Sequence, residues 1–245
     1  MAMELSFEGV LLDFAGTLEV LAGAEQWVNE SLAEAGLDVP ESERHAWARR
    51  AAHSARLPGG RRPADLTGAR LAAWWHRSLA PDVHREVYLG LIDACGGLPW
   101  PKAADALYEW HMRPSSWLPY PDAVSALGLL REAGLRTCVV SNIGWDLRPV
   151  LSGAGLLDLL DDCVFSYEAG VRKPDPRLFE IACRRIGVDP EKTLMVGDSP
   201  VADVGGQVLG IRTILVDPLP IHERPQGLAP AVARAVSCPG APSEH

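Results

Sequence analysis

The apolar positions of this chain change their period along its length. Phe7 to Leu12 are mostly apolar and stop at Asp13, where Phe14-Ala15-Gly16-Thr17 follows. A short apolar run closed by a turn predicts a strand covered on both faces. Residues 19–113 show no β-alternation. Ala, Leu, Glu and Arg dominate there, with breaks at Gly36, Pro40, Leu57-Pro58-Gly59-Gly60, Pro81 and Gly96-Gly97. This stretch predicts a set of helices. Trp27, Trp47, Trp74, Trp75, Trp100 and Trp110 fall within it, at spacings that suit helix-packing core.

From residue 119 to 217, strands and helices alternate. Pro121 suits the first turn of a helix ending near Gly134, and Arg136 to Val140 is a strand running into Ser141-Asn142. A helix follows around Trp145 to Ser152. Val164-Phe165 and Thr193 to Val196 read as strands, Pro176 to Ile186 and Val201 to Leu209 as helices, and Arg212 to Val216 as the last strand. Such alternation implies parallel βαβ units. In these sheets function collects at the carboxyl ends of the strands, where Asp13, Ser141 and Asp198 sit. The prolines from Pro218 onward predict a tail that wraps the surface, with mobile final residues.

Composition narrows the function classes. A chain of 245 residues accommodates one domain, or one domain with an insertion. Its 47% hydrophobic and 22% charged residues are ordinary globular usage. With 23 cations against 32 acids the net charge is −9, which gives no general attraction for nucleic acid or an anionic membrane. No apolar run reaches about 18 residues, so no membrane span is expected. Acids precede the first apolar run, which is unlike a signal peptide. Five cysteines lack metal-site spacing; Cys138, Cys163 and Cys183 read as buried free thiols, and a cytoplasmic location is expected. Only Lys102, Lys173 and Lys192 are lysines, so few amines are available for chemistry.

Four short motifs occur in order: Asp13-Phe14-Ala15-Gly16-Thr17, Ser141-Asn142, Lys173-Pro174, and Gly197-Asp198-Ser199 followed by Asp203. This order resembles the haloacid dehalogenase-like hydrolase superfamily, over about residues 8 to 217. The resemblance implies an α/β fold: a Rossmann-like parallel sheet core with an inserted α-helical cap domain. The expected division is a catalytic core of residues 1–18 and 114–220, a helical cap of 19–113 and a Pro-rich tail of 221–245.

The resemblance also implies roles. Asp13, ending a buried strand, is the nucleophile that attacks phosphorus and forms an acyl phosphate. Ser141 holds a phosphoryl oxygen. Lys173, in a segment stiffened by Pro174 and Pro176, offsets charge between nucleophile and phosphoryl group. Thr17 and Asn142 are expected to touch substrate. Asp13, Asp198 and the backbone carbonyl of Ala15 form a hard oxygen site suited to Mg²⁺. Ser199 and Asp203 stand behind it, Asp203 orienting Lys173 or a metal-bound water. The partner is a small, phosphorylated molecule.

Ala15 departs from the family pattern. Phosphatases of the superfamily usually carry there a second aspartate that protonates the leaving oxygen and then activates water. Such groups contribute about 10²–10⁴-fold, so alkyl phosphates are expected to react slowly. Four readings stay open. The substrate has a good leaving group, such as an acyl phosphate or anhydride. Or the chain resembles the phosphonate-cleaving branch, which also has Ala here but needs a cap lysine; the early cap has Arg49, Arg50, Arg56, Arg61 and Arg62 instead, and Arg forms no Schiff base. Or it is a dehalogenase, against which Gly197-Asp198-Ser199 looks like the metal-binding phosphatase form. Or it binds a phosphorylated ligand without catalysis. A cap acid or one of His45, His53, His76, His84 and His111 is a further candidate for the missing group.

Overall fold

The computed structural model describes residues 7–54, 63–94, 97–224 and 226–237. Arg56, Arg61, Arg62, Cys95, Cys238 and the final prolines lie outside the described residues. In chain order the strands are β1 (Gly9–Leu12), β2 (Glu19–Leu21), β3 (Trp117–Pro119), β4 (Arg136–Ser141), β5 (Asp162–Phe165), β6 (Thr193–Gly197) and β7 (Arg212–Leu215). The helices are α1 (Ala24–Glu34), α2 (Glu41–His53), α3 (Gly68–His76), α4 (Pro81–Asp93), α5 (Ala104–Glu109), α6 (Ala123–Glu132), α7 (Arg148–Gly153), α8 (Ser166–Ala169), α9 (Pro176–Ile186) and α10 (Ala229–Ser237).

The chain forms two compact units. One comprises Met1–Val20, Pro119–Asn142 and Leu151–His245; the other comprises Leu21–Leu118 and Ile143–Val150. The first unit holds a five-stranded sheet in the order β5-β4-β1-β6-β7. Every pairing in it is parallel, with Leu12 opposite Val139 on one side and Val196 on the other. β1 is therefore central, and all its residues are buried. This is why its apolar run shows no alternation.

The core on one face of the sheet packs Leu11, Cys138, Val140 and Met195 against α9. Leu178, Phe179, Ala182, Cys183 and Ile186 line the buried stripe of α9 at helical spacing. The helix is bounded at both ends by local chemistry. Asp175 accepts the Arg177 N–H at 3.0 Å, Pro176 fills the first turn, and Gly187 closes it at φ +70°. The three described cysteines are buried free thiols.

The second unit has a tryptophan-rich core in which Trp27, Trp47 and Trp110 are buried with Leu32 and Leu107. Trp27 and Trp47 pack with ring centroids 5.5 Å apart. A neighbouring cluster holds Trp74 with Tyr88, Leu91 and Tyr108. Trp75, expected with the core, is 40% exposed.

Several elements differ from expectation. The stretch 19–113 opens with a strand rather than a helix, because β2 pairs with β3. The helix expected from Trp145 begins only at Arg148, whose N–H is accepted by Asp146 at 3.1 Å. Asp203–Leu209 forms 3₁₀ turns instead of an α-helix and carries Gly205 and Gly206. A Cβ on Gly205 would stand 2.0 Å from the Pro174 carbonyl, so this backbone packs tightly on another segment. The tail is exposed over residues 217–220 but more anchored than its prolines suggest, and its final residues, expected to be mobile, lie outside the described residues. It contains α10, and Arg224, Leu228, Ala231 and Val232 are buried. Among the described residues, no helix is long and apolar enough to cross a membrane.

Candidate active site

Asp13 follows directly on β1, and its backbone N–H continues the ladder by donating to the Val196 carbonyl at 2.9 Å. That bond fixes where its carboxylate starts. The chain then turns: the N–H groups of Thr17, Leu18 and Glu19 all converge on the Phe14 carbonyl. Gly16 takes φ +81°, and its own N–H donates to the Glu19 carbonyl. A Cβ there would lie 2.8 Å from Oδ2 of Asp198, so glycine meets two demands at this position.

Ser141 ends β4 and Asp198 follows β6, the two strands that flank β1, so parallel pairing brings both to the same carboxyl end of the sheet as Asp13. Lys173 is 2% exposed, and its Nζ donates to Oδ1 of Asp13 at 2.5 Å and to Oδ1 of Asp203 at 2.6 Å. Asp203 is fully buried, and its Oδ2 accepts the Ser199 N–H at 2.8 Å. Ser199 Oγ accepts the Ala202 N–H at 3.0 Å, tightening the same loop. Gly197 makes room: a Cβ there would stand 2.3 Å from the Asp203 carboxyl.

Asn142, expected to touch substrate, is engaged at both ends of its amide by the main chain of Lys173. Its Nδ2 donates to the Lys173 carbonyl at 2.9 Å, and its Oδ1 accepts the Lys173 N–H at 2.7 Å. It positions the lysine. Thr17 is buried, and its Oγ1 has no hydrogen-bond partner among the described residues. Ala15 is half-buried and bridges Glu19 through the backbone.

One amine faces three carboxylates. Burial pushes the Asp13 carboxyl above its ordinary range; Lys173 pulls it down, and Asp203 and Asp198 push it up again. Burial and Asp203 likewise raise Asp198 against the pull of Lys173. Burial alone would depress Lys173, but Asp13 and Asp203 outweigh it and hold the amine above its ordinary value. Oxygens of Asp13, Asp198 and Asp203 lie within 4.8 Å of one another. Asp203 is already bonded through both oxygens, so Asp13 and Asp198 are the carboxylates left to hold a cation. An all-oxygen, net-negative set of this kind fits a small, hard divalent ion.

A family model for haloacid dehalogenase-like hydrolases matches residues 7–206. The chain belongs to that family. It is a haloacid dehalogenase-like hydrolase, an enzyme of that type. It is 35% identical over 199 residues to a phosphoserine phosphatase of Thermus thermophilus, covering 80% of this chain and 77% of the relative. It is also 35% identical over 144 residues to haloacid dehalogenase-like hydrolase domain-containing protein 3 of Mus musculus, covering 58% of this chain and 55% of the relative. Among solved structures it resembles a dehalogenase with a TM-score of 0.61 at 23% identity, covering 87% and 86% of the two chains, which reflects the shared fold.

Three residues near this carboxylate cluster carry no sequence motif. Glu19 is fully buried with neither carboxylate oxygen partnered among the described residues, and burial raises its pKa to about 8. Tyr120 and Arg224 lie against the Gly16–Leu18 turn, one from the start of the 119–142 segment and one from the tail. No local spacing signals either of them.

Proposed function

We propose that this hydrolase is a metal-dependent phosphohydrolase acting through an aspartyl phosphate on Asp13. The observation that carries the reading is the Lys173 amine bridging Asp13 and Asp203 beside Asp198. Asp13 Oδ1 is held by Lys173, which leaves Oδ2 to attack phosphorus. The P–O bond to the leaving group breaks, and that group departs with the bonding pair. Water then attacks the acyl phosphate, releasing inorganic phosphate and regenerating the Asp13 carboxylate. Ser141 and Lys173 hold the phosphoryl oxygens, Thr17 supplies a buried hydroxyl, and Asn142, Ser199 and Asp203 fix Lys173 and the Asp198 loop.

Asp13, Asp198 and the Ala15 carbonyl would hold Mg²⁺, which supplies charge neutralisation for the phosphoryl group. With Ala15 in place of a second acid, no side chain at that position protonates the leaving oxygen. Substrates whose leaving group departs as a stable anion, such as aryl or acyl phosphates, are favoured. The division of the chain into two units supports reading residues 19–113 as a helical cap on a core of 1–18 and 114–220.

The test is turnover of 4-nitrophenyl phosphate and acetyl phosphate with Mg²⁺, by wild type and by Asp13→Asn. Mg²⁺-dependent turnover lost in the variant supports the reading. Failure of wild type to exceed the variant on both overturns it. Because Ala15 removes the phosphatase acid, metal-free dehalogenation is the second reading, and halide release from a 2-haloacid without Mg²⁺ would establish it. Mg²⁺ binding with no turnover on either substrate class would mark a phospho-ligand-binding protein.

A further inference from the structure

The segment from Asp217 onward lies beyond the residues that the family model matches, 7–206. Yet it reaches the turn that follows Asp13. Arg224 is 5% exposed, and its Nη1 donates to the Gly16 carbonyl at 2.5 Å and to the Asp217 carbonyl at 3.0 Å. Its Nη2 donates to the Thr17 carbonyl at 2.5 Å. The next carbonyl, that of Leu18, accepts the Tyr120 N–H at 3.0 Å. Three successive carbonyls of the turn are thus tied from outside it.

The guanidinium is itself held. Its Cζ sits 3.3 Å from the centroid of the Tyr120 ring, and the Tyr120 hydroxyl donates to the Leu219 carbonyl at 2.8 Å. Gly227 packs on the other side, where a Cβ would stand 2.1 Å from Nε of Arg224. Asp122 secures the tail further on, Oδ2 accepting the Leu228 and Ala229 N–H groups at 2.7 and 2.8 Å. Pro218 closes on Gly16: a Cβ on that glycine would meet Pro218 Cβ at 2.9 Å as well as Asp198 Oδ2. The tail therefore holds the turn against the carboxylate of Asp198.

We infer that Arg224 is a positioning residue for catalysis: it latches the C-terminal segment onto the turn after the nucleophile and fixes the Ala15–Thr17 backbone beside Asp198. A planar fork with two donors on neighbouring carbonyls does this where an ammonium cannot. The inference rests on the phosphohydrolase reading for its kinetic consequence, but the latch itself is structural and is readable without turnover.

The experiment compares wild type with Arg224→Ala, Arg224→Lys and Tyr120→Phe. Loss of backbone registration at a reacting centre costs up to about 10²-fold in rate, so Arg224→Ala is expected to lose kcat on 4-nitrophenyl phosphate with little change in KM. Lysine should not restore it, whereas added guanidinium chloride at millimolar level should restore part of it. Tyr120→Phe keeps the ring and removes one tail bond, and should give a smaller loss of the same kind; it serves if Arg224→Ala does not fold. Amide exchange of the 13–19 peptide should quicken in Arg224→Ala while that of Pro176–Ile186 stays as in wild type. Unchanged exchange at 13–19, or equal acceleration in both peptides, overturns the latch. Unchanged kcat with faster exchange at 13–19 overturns its catalytic role. If wild type turns over no phosphate ester, the phosphohydrolase reading fails while the exchange result still decides the latch.

Discussion

The amine of Lys173 lies 2.5 Å from Oδ1 of Asp13, a residue 160 positions earlier in the chain. Both are buried, so the pair depends on mutual compensation. Removing one member of such a pair strands a charge, at a cost of about 3–5 kcal/mol. Lys173→Met is expected to destabilise the protein by this amount in urea titration and to abolish turnover. Asp13→Asn, which leaves Asp203 to the lysine, should destabilise less.

Gly197 governs how close Asp203 can come. A methyl group there would meet the Asp203 carboxyl at 2.3 Å. Overpacking of this kind costs about 1–3 kcal/mol. Gly197→Ala should lower the urea midpoint and reduce kcat together, because a displaced Asp203 releases both Lys173 and the Ser199 N–H. Unchanged kcat in a stable Gly197→Ala protein would mean that Asp203 does not position the lysine.

On the proposed mechanism, Ala15→Asp supplies the general acid that Ala15 lacks. General acid–base assistance is worth about 10²–10⁴-fold. Hydrolysis of an alkyl phosphate such as glycerol phosphate is expected to rise by at least tenfold on that scale, with a smaller gain on 4-nitrophenyl phosphate. Steady-state kinetics on the two substrates measure the difference.

His84 and His111 stack with ring centroids 5.3 Å apart in the buried part of the second unit. Burial, followed by His111 and Arg77, depresses His84 to about 2, and burial depresses His111 to about 4. Both are neutral when folded and titrate normally when unfolded, so the unfolded chain binds more protons below pH ~6.5. Stability should be full above that pH and fall as pH drops from ~6.5 toward 4. His111→Phe should flatten this fall in a Tm series across pH 4–8.

Much of this was visible in the sequence because it is local. β1, β4, β6 and α9 follow from apolar runs and helical spacing. Three of the four motifs mark strand ends that parallel pairing brings to one end of the sheet, and the fourth, Lys173-Pro174, lies in the loop before α9. What stayed hidden depends on long-range partners. Asn142 reads as a strand-end polar residue, and only the fold shows both ends of its amide closed on Lys173. The Asp203–Leu209 turns look helical until the Pro174 carbonyl is placed against Gly205. The tail looks like a proline-rich wrapping, yet Arg224 reaches carbonyls more than 200 residues earlier. Glu19 and the His84–His111 pair owe their character to burial, which no spacing of polar residues announces.

The most direct measurement of the central claim is chemical trapping at Asp13. Wild type is mixed with Mg²⁺ and 4-nitrophenyl phosphate, quenched in acid, reduced with borohydride and mapped by peptide mass spectrometry. An aspartyl phosphate is reduced to homoserine, so homoserine at position 13 that depends on both Mg²⁺ and substrate is the predicted result. Phosphate release with Asp13 unmodified, or with homoserine at another aspartate, would contradict it.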